Sequence, residues 1–101
     1  MVKVLVLFGM PLDKEVFDLH FEETHYPLIE KLPDLQASRI NYVAGVVTGE
    51  APYYRIVELE FSSEETMQKG LNSRSGQLMA QDFSSFASGG VTILLCDTQN
   101  R

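Results

Sequence analysis

Both histidines of the chain, His20 and His25, lie in one amphipathic stretch that runs from Phe17 to Leu28. Imidazole is the side chain that titrates near neutral pH, so either residue could move a proton in that range. At 100° per residue the two side chains lie roughly 140° apart on a helix, on opposite margins of its apolar face. Each could line a pocket beneath the helix. The pair is not expected to bind one metal ion as an i,i+4 pair would.

The helix that carries the histidines is predicted to begin after an N-cap at Asp13 and to end at about Lys31. Pro27 has no N–H to donate to the carbonyl of Glu23, and its ring pushes Tyr26 away from ideal helical geometry. The backbone beside the second histidine should therefore be irregular. An apolar stripe about 80° wide should face the core; its members are Phe17, Phe21, Thr24, Leu28 and Leu32.

Alternating apolar residues and turn signals predict the remaining elements. The predicted strands are Val2 to Phe8, Gln36 to Val47, Tyr53 to Phe61 and Val91 to Cys96, and the later helices are Glu64 to Leu71 and Gly76 to about Phe86. Strand alternation puts Tyr53 and Arg55 on one face of the third strand and Tyr54 on the other. The order βαββαβ is the ferredoxin-like plan, an α+β fold with helices on one face of an antiparallel sheet. At 101 residues the chain supports one domain, residues 1–101.

The first and last strands carry apolar residues at odd and even positions alike, as Leu5 and Val6 illustrate, so both faces of each strand are apolar. In a sheet with one solvated face, apolar and polar residues should alternate along each strand. Soluble monomers also usually avoid a large exposed apolar patch. We therefore expect a homodimer formed sheet to sheet.

Composition argues against several classes of protein. The formal net charge of −6 and the lack of any cluster of Lys and Arg argue against a nucleic-acid partner. The longest apolar run, Val4 to Phe8, is far too short to span a membrane, and the single cysteine, Cys96, fits a reducing compartment, so a cytoplasmic protein is expected. No phosphate-binding loop, nucleophile elbow or zinc-ligand spacing occurs, so we expect no cofactor and no metal.

His25 is the candidate general acid/base, because it lies at the edge of the inner face of the helix. The alternative is a packed histidine whose ring bonds a carbonyl freed by Pro27. Asp82 is expected to cap or pair locally. Further candidate ligand-binding residues lie on this helix, on the hairpin and on the last helix, where two phenylalanines would form the underside of a lid; they are His20, Phe21, Tyr42, Tyr53, Arg55, Phe83 and Phe86.

An ordered set of motifs resembles the pattern of the EthD-like family. The set comprises His20-Phe21, His25-x-Pro27-Leu28, Ser73-Arg74-Ser75-Gly76-Gln77, Asp82 with Phe86, and Gly89-Gly90-Val91-Thr92. The chain departs from the family at two positions. Phe21 stands where members often have a tyrosine, and Asp34 replaces the glycine of a Pro-Gly-Leu turn, a change that the turn should tolerate.

The resemblance implies a dimeric α/β barrel whose cavity, between helices and sheet, binds a hydrophobic or aromatic metabolite. If the protein is catalytic, the resemblance implies cofactor-free proton transfer in a cyclisation, isomerisation or dehydration within a degradative or secondary metabolic pathway, with His25 as the general acid/base. The alternative is a non-catalytic accessory protein that sequesters a metabolite or delivers it to a partner enzyme, and the missing tyrosine at Phe21 favours it mildly. A third possibility is that the residues around His25 only pack.

Overall fold

The computed structural model describes residues 1–50 and 53–101. Its elements are β1 (Val2–Gly9), α1 (Lys14–His20), a π-helical segment (Phe21–His25), α2 (Tyr26–Glu30), β2 (Ala37–Tyr42), β3 (Tyr53–Phe61), α3 (Glu64–Asn72), α4 (Arg74–Phe86) and β4 (Val91–Asp97). The strands form one sheet in the order β2-β3-β1-β4, and all three pairings are antiparallel. This is the element order that the sequence predicts.

Strand β2 is shorter than predicted, because it ends at Tyr42 rather than Val47. Alternating residues show which segment could pair, but a strand also needs hydrogen bonds to a neighbour. The pairing of β2 with β3 ends where Tyr42 lies opposite Arg55. Val46 and Val47 are exposed, and part of the predicted loop from Thr48 to Pro52 lies outside the described residues.

The long helical region begins as predicted, since the Asp13 side chain accepts a hydrogen bond from the backbone N–H of Val16 at 3.1 Å. Its irregularity differs from the prediction. Tyr26 keeps helical angles (φ −61°, ψ −39°), and its N–H donates to the carbonyl of Phe21, five residues back. This is the π-helical bond, and Pro27, which cannot donate, follows it directly.

The π-helical segment moves the buried stripe by one position. Thr24, which was predicted to face the core, is exposed, and His25 is buried in its place. The stripe that packs on the sheet consists of Phe17, Phe21, His25, Ile29 and Leu32. A uniform spacing of 100° per residue cannot reproduce this change, because the extra residue in the turn rotates the side chains that follow it in the helix, so that Ile29 is fully buried rather than Leu28.

The core lies between the helices and one face of the sheet. Val4, Val6 and Phe8 of β1 point into it and are almost fully buried, and Phe61 of β3 joins them. Phe8 is at the centre of an aromatic cluster, with its ring 5.3 Å from that of Phe17. The helices therefore cover the central strands with aromatic side chains.

The other face of the sheet has an apolar half and a polar half. Leu5 and Leu7 of β1 lie on it beside the 45 % exposed Leu94 of β4. Towards β2 and β3 it carries ion pairs, and Lys3 lies 3.4 Å from Glu58. The sequence prediction of an apolar open face therefore holds for the half formed by β1 and β4.

Two short connections shape the helical layer. Ser73 ends α3 and caps α4, accepting a hydrogen bond from the N–H of Gly76 at 3.1 Å. Asp34 has a positive φ of 63°, which is the conformation expected for the glycine of the related turn. Within the described residues, no helix is long and apolar enough to cross a membrane.

Candidate functional site

One carboxylate, that of Asp82, joins the two histidines. Its Oδ1 lies 2.8 Å from Nε2 of His20, and its Oδ2 lies 2.9 Å from Nδ1 of His25. The prediction that the two rings lie on opposite margins of the helix is therefore wrong. A π-helical turn contains more residues than an α-helical turn, so a spacing of five brings both side chains to the same side.

Asp82 reaches the histidines from α4. Met79, Phe83 and Phe86 face the core on this helix, and Asp82 lies beside them with its side chain only 11 % exposed. The local pairing expected for Asp82 is wrong, because its partners lie 57 and 62 positions away in the sequence. Its place in the ordered motif set was the one signal that could have marked it as part of the site.

Aromatic rings enclose His25, whose exposed fraction is 1 %. The ring centroids of Phe86 and Phe83 lie 4.8 and 5.0 Å from that of the histidine, and those of Phe21 and Phe8 lie 5.9 and 6.0 Å away. His25 therefore has one polar neighbour on Nδ1 and apolar neighbours over much of its surface.

His20 is the more accessible histidine, with 26 % of its side chain exposed. Its ring stacks on that of Phe86 at 4.8 Å with an angle of 17° between the planes. Asp82 thus connects a histidine at the surface to one in the core.

The chemistry of the carboxylate fixes the protons between these groups. An ionised carboxylate can only accept, so the nitrogens that face Asp82, Nδ1 of His25 and Nε2 of His20, carry the hydrogens. In the neutral form of His25 this leaves Nε2 as the proton acceptor. Burial lowers the pKa of His25, and the hydrogen bond to Asp82 opposes this only in part. A buried neutral imidazole held by a carboxylate is an arrangement suited to a general base.

The alternative prediction for His25, a hydrogen bond to a carbonyl freed by Pro27, does not match the observed pairing. Its Nδ1 faces Asp82 instead. A packed histidine and a catalytic histidine would both have this geometry in the resting protein, so a measurement of activity separates the two roles.

The other predicted site residues, apart from Tyr53, fall into two groups. Phe21, Phe83 and Phe86 surround His25. Tyr42 and Arg55 form a separate cluster, with the guanidinium carbon 4.6 Å from the tyrosine ring centroid. Tyr53 is half-buried opposite Gly9 at the start of β3.

The space between helices and sheet is filled by the aromatic rings around Phe8, where the sequence predicted a cavity. A shallow depression lies outside them, at the surface between α2 and α4; it is bordered by Leu28, Leu78, Gln81, Asp82 and Ser85. Asp82 is thus reached from the surface. In the described part of the chain, no group of three or more His, Cys, Asp or Glu side chains is arranged to hold a metal ion.

Similar structures share this architecture. An ethyl tert-butyl ether D (EthD) family protein from Bacillus halodurans is 29 % identical, with a TM-score of 0.91, and the match covers 98 % of this chain and 99 % of that one. A dimeric ferredoxin-like protein of unknown function from Thermobifida fusca is 10 % identical, with a TM-score of 0.73 over 96 % of this chain and 90 % of that one. The predicted ferredoxin-like α+β fold is confirmed.

Sequence comparison identifies the family. An uncharacterized 11.0 kDa protein from the thcB-thcC intergenic region of Rhodococcus erythropolis is 29 % identical over 99 residues, which is 98 % of this chain and 96 % of that protein. The model of the EthD domain matches residues 10–90, a range that contains His20, His25 and Asp82. The chain belongs to the EthD domain family.

Proposed function

We propose that this protein is a homodimer that binds an aromatic or similarly hydrophobic metabolite and catalyses a proton transfer with His25 as general acid/base. The reaction would be a cyclisation, an isomerisation or a dehydration. The observation that carries the proposal is the 2.9 Å contact between His25 Nδ1 and Asp82 inside an aromatic enclosure.

The contact supports this role because it orients the imidazole. With its hydrogen directed at Asp82, the ring keeps Nε2 free to accept a proton from a bound molecule. The lowered pKa of His25 keeps the ring neutral, and therefore basic, at pH 7. Asp82 would then stabilise the imidazolium that forms when the proton arrives.

The aromatic enclosure supports the substrate class. Phe21, Phe83 and Phe86 present ring faces and edges next to His25, and such surfaces favour flat apolar molecules. Because these rings fill the space in the resting protein, binding requires α4 to move its two phenylalanines outward. The break between α3 and α4 at Ser73 gives α4 a point about which to move.

The open face of the sheet supports the dimer. Leu5 and Leu7 form an apolar strip with Leu94, and a partner sheet would remove this strip from water. The related structure from Thermobifida fusca, which shares the fold, is described as dimeric.

A second function, binding without catalysis, is favoured by the burial of His25 at 1 % exposure. In that case the aromatic interior would hold a metabolite and deliver it to a partner enzyme, and the histidines with Asp82 would only hold α4 on the long helix.

Deuterium exchange separates the two functions. Phenylacetone has acidic protons next to its carbonyl and an aromatic ring, and NMR in deuterated buffer follows their replacement. We expect the wild-type protein to accelerate the exchange and His25→Gln to lose the acceleration, by about 10²- to 10⁴-fold where His25 supplies general base catalysis.

Tyr26→Phe is the matched control, because it lies beside His25 and loses one hydrogen bond, the 2.7 Å contact to Ser38. It should exchange at the wild-type rate. Equal rates for wild type and His25→Gln would contradict the catalytic role. Binding of phenylacetone without acceleration would favour the accessory function.

A further inference from the structure

A second buried polar cluster lies on the other side of Phe21, around Arg55. This residue is only 4 % exposed. Its Nη2 donates to Oδ1 of Asp18 at 2.9 Å, and the hydroxyl of Tyr54 donates to the same carboxylate at 2.8 Å. Asp18 is therefore shared between a buried cation and a phenol.

A β-bulge assembles this cluster. Phe8 pairs with Arg55 and Gly9 pairs with Tyr53, so Tyr54 is an extra residue in β3. In such a bulge consecutive side chains can point to the same face of the sheet. The Tyr54 ring accordingly packs on Phe17 of α1 at 5.2 Å, and the prediction that it lies on the opposite face from Arg55 is wrong.

Arg55 is incompletely paired. Its Nε is buried and has no hydrogen-bond partner among residues 1–50 and 53–101. A buried donor without an acceptor is unfavourable, and a buried charge is tolerated only when it is well paired. Asp18, the carboxylate that pairs with Arg55, has 47 % of its side chain exposed, so it is only partly withdrawn from water. The Nε–H of Arg55 can therefore still donate a hydrogen bond to another negatively charged oxygen.

Aromatic rings surround the guanidinium. Its central carbon lies 4.6 Å from the ring centroid of Tyr42, 4.8 Å from Phe21, 5.1 Å from Tyr54 and 5.2 Å from Phe17. Tyr42 is 62 % exposed on the edge strand β2, so its ring is the one that can move away from the guanidinium to admit a ligand. A flat ring with an anionic group matches both the charge and the surfaces of this cluster.

We propose that Arg55 binds the anionic oxygen of an aromatic metabolite, such as a carboxylate or a phenolate, through its Nε–H. The Phe21 ring lies between Arg55 and His25, whose ring centroid is 5.9 Å from that of Phe21. Because the Phe21 ring occupies this space, a ligand with its anionic end at Arg55 would place its reacting carbon near His25 only when that ring moves aside. This second contact rests on the function proposed above, whereas the anion site at Arg55 does not.

Benzoate and benzamide are matched probes, since they have nearly the same shape and differ in charge. Because the Nε–H of Arg55 is buried, we expect it to exchange slowly enough to be followed in a ¹H–¹⁵N NMR spectrum. We expect benzoate to shift this resonance downfield and benzamide to leave it unchanged. An unshifted Nε–H at saturating benzoate, or equal shifts with both probes, would overturn the proposal in favour of a purely structural ion pair.

Affinity supplies a second readout. Wild type should bind benzoate at least about tenfold more tightly than benzamide, because a hydrogen bond to a charged group is stronger than a neutral one. Arg39→Met removes an arginine whose side chain is 59 % exposed, away from this cluster, and should retain the preference, while Arg55→Met should lose it. If Arg55→Met does not fold, the Nε–H shift in wild type decides the question.

His25→Gln distinguishes this site from the proposed function. It should lose proton exchange and still prefer benzoate. A wild-type protein that prefers benzoate but does not accelerate proton exchange would count against catalysis only. Loss of the preference in His25→Gln, with the fold intact, would contradict an independent anion site.

Discussion

Nδ1 of His25 lies 2.9 Å from Oδ2 of Asp82, although 57 positions separate the two residues in the sequence. Asp82 also contacts His20, so one side chain of α4 is held to two side chains of the long helical region. This contact fixes the position of α4 over the sheet and the orientation of the buried imidazole together.

Asp82→Asn should reduce the free energy of unfolding by about 1–2 kcal/mol, because the amide offers one acceptor where two ring N–H groups donate. It should also lower the pKa of His25, since both contributions of Asp82 raise that pKa. Urea denaturation and NMR titration measure the two effects. Glu23→Gln removes the same charge from an exposed position of the π-helical segment and is the control. A stability loss no larger than that of the control would mean that the contact contributes little.

Stability should fall as the pH is lowered through the range in which histidine titrates. Burial lowers the pKa of His25 in the folded protein below its unfolded value of about 6.5. The unfolded chain then binds more protons than the folded one, so this contribution is complete above pH 6.5 and is lost as the pH falls towards the folded pKa. Denaturation of wild type and His25→Gln across pH 5 to 8 tests this. A slope that persists unchanged in the variant would assign the dependence to other groups.

Asp34→Gly should stabilise the protein by about 0.5–1 kcal/mol, because the left-handed conformation at φ 63° is strained for a residue with a Cβ and free for glycine. The ion pair of Asp34 with Lys69, at 3.5 Å, would be lost, but both side chains are exposed and such pairs contribute little. Thermal unfolding reports the change. Glu30→Gly, in α2, should instead destabilise, and a lower melting temperature for Asp34→Gly would show that the ion pair outweighs the strain.

Leu5→Asp should convert the proposed dimer to a monomer or unfold it, because a carboxylate on the apolar half of the open sheet face would be buried without a partner. Light scattering should give about twice the chain mass of 11.4 kDa for wild type and the single mass for the variant. Leu12→Asp places the same charge at a leucine that is 93 % exposed and should remain dimeric. A wild-type protein that is monomeric at micromolar concentration would refute the dimer.

If α4 opens to admit a ligand, amide hydrogens from Asn72 to Phe86 should exchange faster than those of the central strands. Opening would separate Phe83 and Phe86 from His25 without unfolding the sheet. Hydrogen exchange followed by mass spectrometry, with and without benzoate, measures this. Protection equal to that of β1 and β3 would indicate that α4 does not open.

Local sequence determined most of the fold. The alternation of β1 and the N-cap at Asp13 are features of a few consecutive residues, and each lies where the sequence predicts it. The break between α3 and α4 is also predicted, but it is shorter than expected, since α4 begins at Arg74 rather than Gly76. The turn at Asp34 is also a local feature, since aspartate is one of the few residues besides glycine that adopt a positive φ.

The site depended on tertiary structure for two physical reasons. The π-helical bond from Tyr26 to Phe21 and the bulge at Tyr54 each add one residue to a regular element, which rotates the side chains that follow. Periodicity assumes a constant spacing, so it placed Thr24 in the core and separated His20 from His25. The partners of the buried polar side chains, Asp82 for His25 and Asp18 for Arg55, come from distant parts of the chain, and only the packing of helices on the sheet brings them within hydrogen-bonding distance.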